Sequence, residues 1–226
     1  CLGLALFLFA FSCYNCSCPK GYTSLCFVGG AVSVLASSAV FSGLVSVGFS
    51  GSRSPSVGAS AALSALLPSV PAGVRVSVGC ARGVDSLCRS FFAGSSSLLV
   101  FSVASGLFGS GRSAFARRSS RCVLSVAADS RGLLVALPSA PVPPAGVRPT
   151  CGQVLCRSFF GGGLGRSSGS WGSVAFALGR GRRVLLWLPS GSRPPAWSGV
   201  SWSSAGALGS VGCWWLGVPV PVAPSG

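Results

Sequence analysis

Two apolar runs of strand length, each ended by a glycine-containing turn and followed by a helix-forming stretch, constrain this chain more than any other feature. Leu44-Val45-Ser46-Val47-Gly48-Phe49 runs into Gly51-Ser52-Arg53-Ser54, and Val74-Arg75-Val76-Ser77-Val78 runs into Gly79-Cys80-Ala81-Arg82-Gly83-Val84-Asp85. A strand that ends in small residues and opens a helix leaves backbone N–H groups unpaired at the helix start. Those donors, together with the helix dipole, hold a phosphate. Gly79 and Gly83 permit close approach and positive φ, and Arg82 adds a charge-matched donor. Asp85 is placed either to cap its helix or to accept a ribose hydroxyl.

The chain in order extends this unit into an α/β pattern. Pro55 precedes a helix expected over Val57 to Leu67 and stopped by Pro68, and a second helix is expected over Val84 to Phe92. Leu98 to Val103 reads as a third strand. Gly109-Ser110-Gly111-Arg112 leads into a helix over Ser113 to Ala128, on which Arg112, Arg117, Arg118 and Arg121 form a basic face. Arg112 is assigned to the phosphate site, and Arg118 and Arg121 to a solvated face. Gly132 to Leu137 is a fourth strand. Residues 138–168, rich in Pro, Gly and Ser, read as a loop or insertion. Ser168-Gly169-Ser170-Trp171-Gly172-Ser173 is a third small-residue turn. It opens a helix over Val174 to Leu178 and leads to a fifth strand, Val184 to Leu188. Residues 190–226 are read as an irregular Pro/Gly/Ser/Trp-rich tail, and residues 1–43 as an apolar N-terminal segment ahead of a domain over 44–189.

Two words recur within the chain. Leu87-Cys88-Arg89-Ser90-Phe91-Phe92 returns at 155–160, and Pro71-Ala72-Gly73-Val74-Arg75 returns at 144–148. The gaps between the words differ, which excludes a regular solenoid. Partial duplication and coincidence within a restricted alphabet both remain open.

Charge and composition bound the function. The formal charge is +15, from 17 basic against two acidic residues, which favours polyanionic partners. His, Met, Ile and Glu are absent, and the acids are only Asp85 and Asp129. Acid–base chemistry therefore has few candidates, and Asp129 reads as a solvated turn residue. Residues with adenine at the middle codon position are nearly all missing, as an adenine-poor coding strand would produce. The start at Cys1 fits a fragment whose true beginning lies upstream.

Leu2 to Phe11 is an apolar run of about ten residues, too short to span a bilayer and without the basic flank of a signal peptide. Cys26 to Ser52 carries no charge and is long enough for a membrane helix. Its glycines, its serines and its β-like end favour a buried helix and first strand. Eleven cysteines are scattered apart from a cluster at Cys13, Cys16 and Cys18, followed by Cys26. With no His and no second Cys-x-x-Cys pair, unpaired thiols in a reducing cytoplasm are favoured over a metal or disulfide site.

The succession of Gly51-Ser52-Arg53-Ser54, Gly79-x-Ala81-Arg82-Gly83-x-Asp85, an Arg-bearing helix, Leu134-Val135-Ala136-Leu137-Pro138, Gly169-Ser170-Trp171-Gly172-Ser173 and Val184-Leu185-Leu186-Trp187-Leu188-Pro189 resembles the SLOG superfamily. That superfamily includes the DNA-processing protein DprA and the LOG phosphoribohydrolases. The resemblance covers about Leu44 to Pro189. It implies a Rossmann-like three-layer α/β sandwich with a mostly parallel sheet of about five or more strands. A nucleotide-type ligand would sit at the carboxyl ends of those strands. LOG-type enzymes place an acid just after a Gly-Gly-x-Gly-Thr turn. Here Val174, Ala175, Phe176 and Ala177 occupy that region, which argues against phosphoribohydrolase activity. No winged-helix domain accompanies the DprA-like features.

The expectation is a cytoplasmic, non-catalytic domain that binds a nucleotide or nucleotide-derived small molecule in a sensory or DNA-processing role. Its site residues are Gly51, Ser52, Arg53, Ser54, Gly79, Ala81, Arg82, Gly83, Asp85, Arg112, Gly169, Ser170, Gly172 and Ser173. Arg53 and Arg82 neutralise phosphate, and Ser170 and Ser173 add hydroxyl donors. No cofactor beyond that ligand, no catalytic group and no metal ligand is assigned. Single-stranded DNA ranks second as a partner, and a membrane ranks lower. The alternatives are a LOG-type nucleotide or N-glycosidic hydrolase using Asp85 or Asp129, a basic membrane- or single-strand-associated protein, and a frame translated spuriously.

Overall fold

The computed structural model describes residues 37–149 and 169–220. The apolar run at 2–11, the cysteine cluster at 13–26 and the second copy of the Leu-Cys-Arg-Ser-Phe-Phe word lie outside the described residues.

The described chain is α/β, built on one seven-stranded sheet. Its helices are α1 (Ser37–Phe41), α2 (Val57–Leu66), α3 (Val84–Phe91), α4 (Gly111–Leu124) and α5 (Gly169–Gly179). Its strands are β1 (Ser46–Gly51), β2 (Arg75–Gly79), β3 (Leu98–Phe101), β4 (Asp129–Leu137), β5 (Arg182–Pro189), β6 (Val200–Leu208) and β7 (Gly212–Pro219). They lie in the order β3-β2-β1-β4-β5-β7-β6. The first five are mutually parallel. β7 is antiparallel to β5, and β6 is antiparallel to β7.

Side-chain alternation along the strands divides the interior in two. Val47 and Phe49 of β1, Val76 and Val78 of β2, Leu133, Val135 and Leu137 of β4, and Leu185 and Trp187 of β5 pack with α1, α2 and α3. Leu134, Ala136, Val184, Leu186 and Leu188 point the other way, onto Val123 of α4 and onto Trp171, Val174, Ala177 and Leu178 of α5. Strands covered on both faces have no polar side to present. For that reason β4 and β5 contain the unbroken apolar runs Leu133–Leu137 and Val184–Leu188.

The structure departs from the sequence expectations in four places. The helix expected over 113–128 is α4, which starts at Gly111 and stops at Leu124. Arg118, assigned to its solvated face, is buried at 7% exposure, whereas Arg121 is exposed. Gly169 to Ser173 are not a turn ahead of a helix but the first five residues of α5. Residues 200–219, expected to be irregular, form the β6–β7 hairpin, because β5 has an apolar edge that β7 pairs along six residue positions. Asp129 opens β4 and does not sit in a turn at a helix end; its φ is 92°, and its carboxylate pairs with the exposed Arg131 at 3.1 Å. Among the described residues no helix is long and apolar enough to cross a membrane.

Candidate functional site

The turns that follow β1 and β2 meet at the carboxyl ends of the parallel strands. The Val84 amide, the first of α3, donates to the Ser52 carbonyl at 3.0 Å. The Ser52 amide in turn donates to the carbonyl of Leu137, the last residue of β4, at 2.9 Å. Ends of β1 and β4, and the helix that follows β2, are thereby locked together. Gly51 closes β1 directly against α3, and a β-carbon there would overlap the Val84 side chain. Gly83 has φ +72°, and any side chain on it would overlap the Ser52 carbonyl, so the junction requires glycine on two grounds.

The first turn is closed on itself. The Ser52 hydroxyl accepts the Ser54 amide at 3.0 Å, and the Ser56 hydroxyl caps α2 by accepting the Ala59 amide at 3.1 Å. Arg53 projects outward, with its guanidinium 5.4 Å from the centre of the Phe115 ring on α4, a cation–π contact. Ser54 is exposed.

The second turn is braced from beneath by side chains. Asp85 lies in the first turn of α3 and is 5% exposed. Its Oδ2 accepts the Ala81 amide at 3.2 Å and the Arg118 Nη1 at 2.9 Å. Arg89, one helical turn further along α3, donates its Nη1 to the carbonyls of Gly79 at 2.6 Å and Ala81 at 3.1 Å. Gly79 leaves the space in which the Asp85–Arg118 pair sits; a β-carbon there would overlap both groups. The Cys80 thiol accepts the Val103 amide at 3.4 Å, tying the turn to the segment after β3. Above this frame Arg82 is exposed and makes no hydrogen bond to a described residue. The N-cap of α3 is Gly83, which has no side chain to cap with, and the amides of Asp85 and Ser86 have no partner among the described residues.

Burial also sets the thiols beneath the turn. Cys122 of α4 is pushed up to about 12, first by burial and then by the Asp85 charge. Cys88 of α3 is raised further for the same two reasons, in the same order. Both are held as neutral thiols, unlike the thiolate of a reactive cysteine.

The remaining sequence-assigned residues are dispersed. Arg112 is the second residue of α4, and its side chain is outside the described part. Gly169 is exposed, while Ser170, Gly172 and Ser173 are buried inside α5. The Ser173 hydroxyl donates back to the Gly169 carbonyl at 3.1 Å. The Trp171 indole donates to the Ala140 carbonyl at 2.9 Å, holding the loop after β4. The structure thus joins the turns at Gly51–Ser54 and Gly79–Asp85, and commits the Ser173 hydroxyl to its own helix.

Arg118 and Arg89 are the site residues that sequence reasoning missed. Position 118 shares an i, i+4 row with the buried Ala114 and Cys122, so it lies on the apolar stripe of α4. An arginine on such a stripe needs a carboxylate, and the chain has only two. Among the described residues no group of His, Cys, Asp or Glu side chains could hold a metal ion. No protein-family model matches the chain, and no curated protein or solved structure matches it either.

Proposed function

We propose that the described residues form a Rossmann-like domain of SLOG type, which binds a nucleotide or nucleotide-derived ligand across the turns after β1 and β2. The observation that carries this reading is the strand order. From β1 the sheet grows outward to β2 and β3 on one side and to β4 and β5 on the other. In open parallel sheets ligands settle where the order reverses, outside the carboxyl ends of the strands. The Gly51–Ser54 turn lies at that point, with the uncapped start of α3 beside it.

In this reading the amides of Asp85 and Ser86 receive a phosphate at the positive end of α3. Arg82 and Arg53 neutralise it from the rim. Asp85 braces the turn and does not grip ribose, since its carboxylate is engaged with Arg118 and the Ala81 amide. Binding is favoured over hydrolysis for the same reason, because the carboxylate nearest the junction already has a cation as its partner. A cytoplasmic sensory or DNA-processing role belongs to this proposal.

The test is calorimetric titration of AMP and ADP-ribose into the wild-type chain and into Arg82→Ala. Saturable heat is expected for the wild type, with affinity about tenfold lower in the variant, the worth of one charge-assisted contact. Equal heats for both proteins, or none for either, refute the reading.

A further inference from the structure

The two edges of the sheet differ in how they are protected against pairing with another chain. β6, one edge, exposes Ser201, Ser203 and Ser204, and its register shifts between Ser204 and Gly206. Polar side chains and a bulge are common means of blunting an edge. β3, the other edge, is Leu98-Leu99-Val100-Phe101, with Leu99 42% and Val100 41% exposed. It contains no proline and no register shift. Residues 90–111 contain no charge, although the chain as a whole bears +15.

The backbone groups that β3 leaves open can be identified from its register. Val76 of β2 lies opposite Leu98, and its amide donates to the Ser97 carbonyl at 2.9 Å. In a parallel pair, one residue bonds to the two that flank its partner, so Ser97, Leu99 and Phe101 turn their groups toward β2. Leu98, Val100 and Ser102 turn theirs outward, and Ser102 continues the extended backbone with φ −109° and ψ 129°. Two of the outward groups are already used. The Leu98 amide donates to the Ser95 carbonyl at 3.2 Å, and the Ser102 carbonyl accepts the Ser105 amide at 3.2 Å. Among the described residues the open set is therefore the Leu98 carbonyl, both groups of Val100 and the Ser102 amide.

We propose that β3 pairs antiparallel with β3 of a second copy of this chain, about a two-fold axis at Val100. The open set is self-complementary under that operation. Each Val100 amide donates to the Val100 carbonyl of the other copy, and each Ser102 amide donates to the other Leu98 carbonyl. Four hydrogen bonds form, and none competes with a bond between described residues of the monomer. The contact is isologous and closed, so it yields a dimer and not a fibre. The paired strand itself, within residues 90–111, carries no charge to set against its copy. Phe91 on α3, 48% exposed, and Leu107 before α4, 84% exposed, belong to the segments that precede and follow the strand in sequence.

Analytical ultracentrifugation of the full chain tests the pairing. The wild type shifts from monomer to dimer between about 1 and 100 μM, the range of a small, transient interface. Val100→Pro removes the central donor without touching the β2 ladder and weakens dimerisation at least about tenfold, the effect of losing two hydrogen bonds at the axis. Val100→Lys, which sets two like charges against each other, does the same. Circular dichroism and thermal midpoint at low concentration match the wild type in both variants, separating loss of pairing from loss of fold. A wild-type chain that stays monomeric throughout that range overturns the proposal. A dimer that persists in both folded variants overturns it as well.

Discussion

The turns after β1 and β2 carry similar sequences and end up doing different things. After β1, polar side chains close the loop from within: Ser52 takes the Ser54 amide and Ser56 caps α2. After β2, the loop residues are Cys80, Ala81, Arg82 and Gly83, and the stabilising groups come from elsewhere in the fold: Asp85, Arg89 and Arg118. A helix start that caps itself spends its donors locally. One braced from below keeps them facing outward. The two glycine-containing turns therefore differ in how many donors they leave unpaired among the described residues, according to where their bracing groups reside.

The difference is measurable in stability. Asp85→Ala leaves the Arg118 guanidinium buried without its carboxylate, and a cost of about 3–5 kcal/mol is expected in urea unfolding. Replacing Asp85 by Leu and Arg118 by Met together is expected to cost less than Asp85→Ala alone, since no buried charge is then orphaned. If the single substitution costs under about 1 kcal/mol, the second turn is no more dependent on remote bracing than the first.

Gly83→Ala comes next, at about 2 kcal/mol, from positive φ and the overlap with the Ser52 carbonyl. Hydrogen exchange should show the loss at both turns, because this is the position where they touch.

The thiols beneath the second turn give a pH signature. Cys122 moves from an ordinary 9.0 to about 12 on folding, so above pH 9 the unfolded chain loses a proton that the folded one keeps. Stability is full below pH 9 and falls between 9 and about 12, by at most about 1.4 kcal/mol per pH unit for this group. In the native protein at pH 8, a maleimide should react with the partly exposed Cys80 and Cys213 and spare the buried Cys88 and Cys122. Labelling of Cys122 at the rate of Cys80 would mean that the space beneath the turn is open. The smallest effect belongs to the first turn: Ser56→Ala removes one cap and should cost about 1 kcal/mol, without changing the second turn.

The parallel half of this fold was legible in the sequence because strands buried on both faces must be apolar throughout. Leu133–Leu137 and Val184–Leu188 need no partner information to be recognised. The junction of the two turns was legible in part, since Gly79 and Gly83 mark close approach. Their bracing was not. Arg118 reaches Asp85 across 33 positions of sequence, and local charge pattern points instead to Arg89, at i+4 from Asp85 on the same helix. In the structure Arg89 serves two carbonyls. The β6–β7 hairpin was hidden by the prolines around it, although Val200-Ser201-Trp202-Ser203 alternates as a one-sided strand does and Gly209-Ser210 supplies turn residues. The start of α5 misled for the opposite reason. Gly169, Ser170, Gly172 and Ser173 have turn chemistry, but Ser170, Gly172 and Ser173 are buried where α5 packs on β4, β5 and α4, and the stretch is helix.

The antiparallel hairpin has a consequence for how the protein is made. β5 is complete at Pro189, but β7, which covers its outer edge, ends only at Pro219. At a synthesis rate of about 5–20 residues per second, β7 follows roughly 2–6 s behind β5. During that interval the nascent chain presents the apolar edge Val184–Leu188, with Trp187 still lacking the indole of Trp214 against which it packs at 5.2 Å. This demand on chaperones falls late, after the parallel sheet has been synthesised and before β7 has followed β5 out of the ribosome.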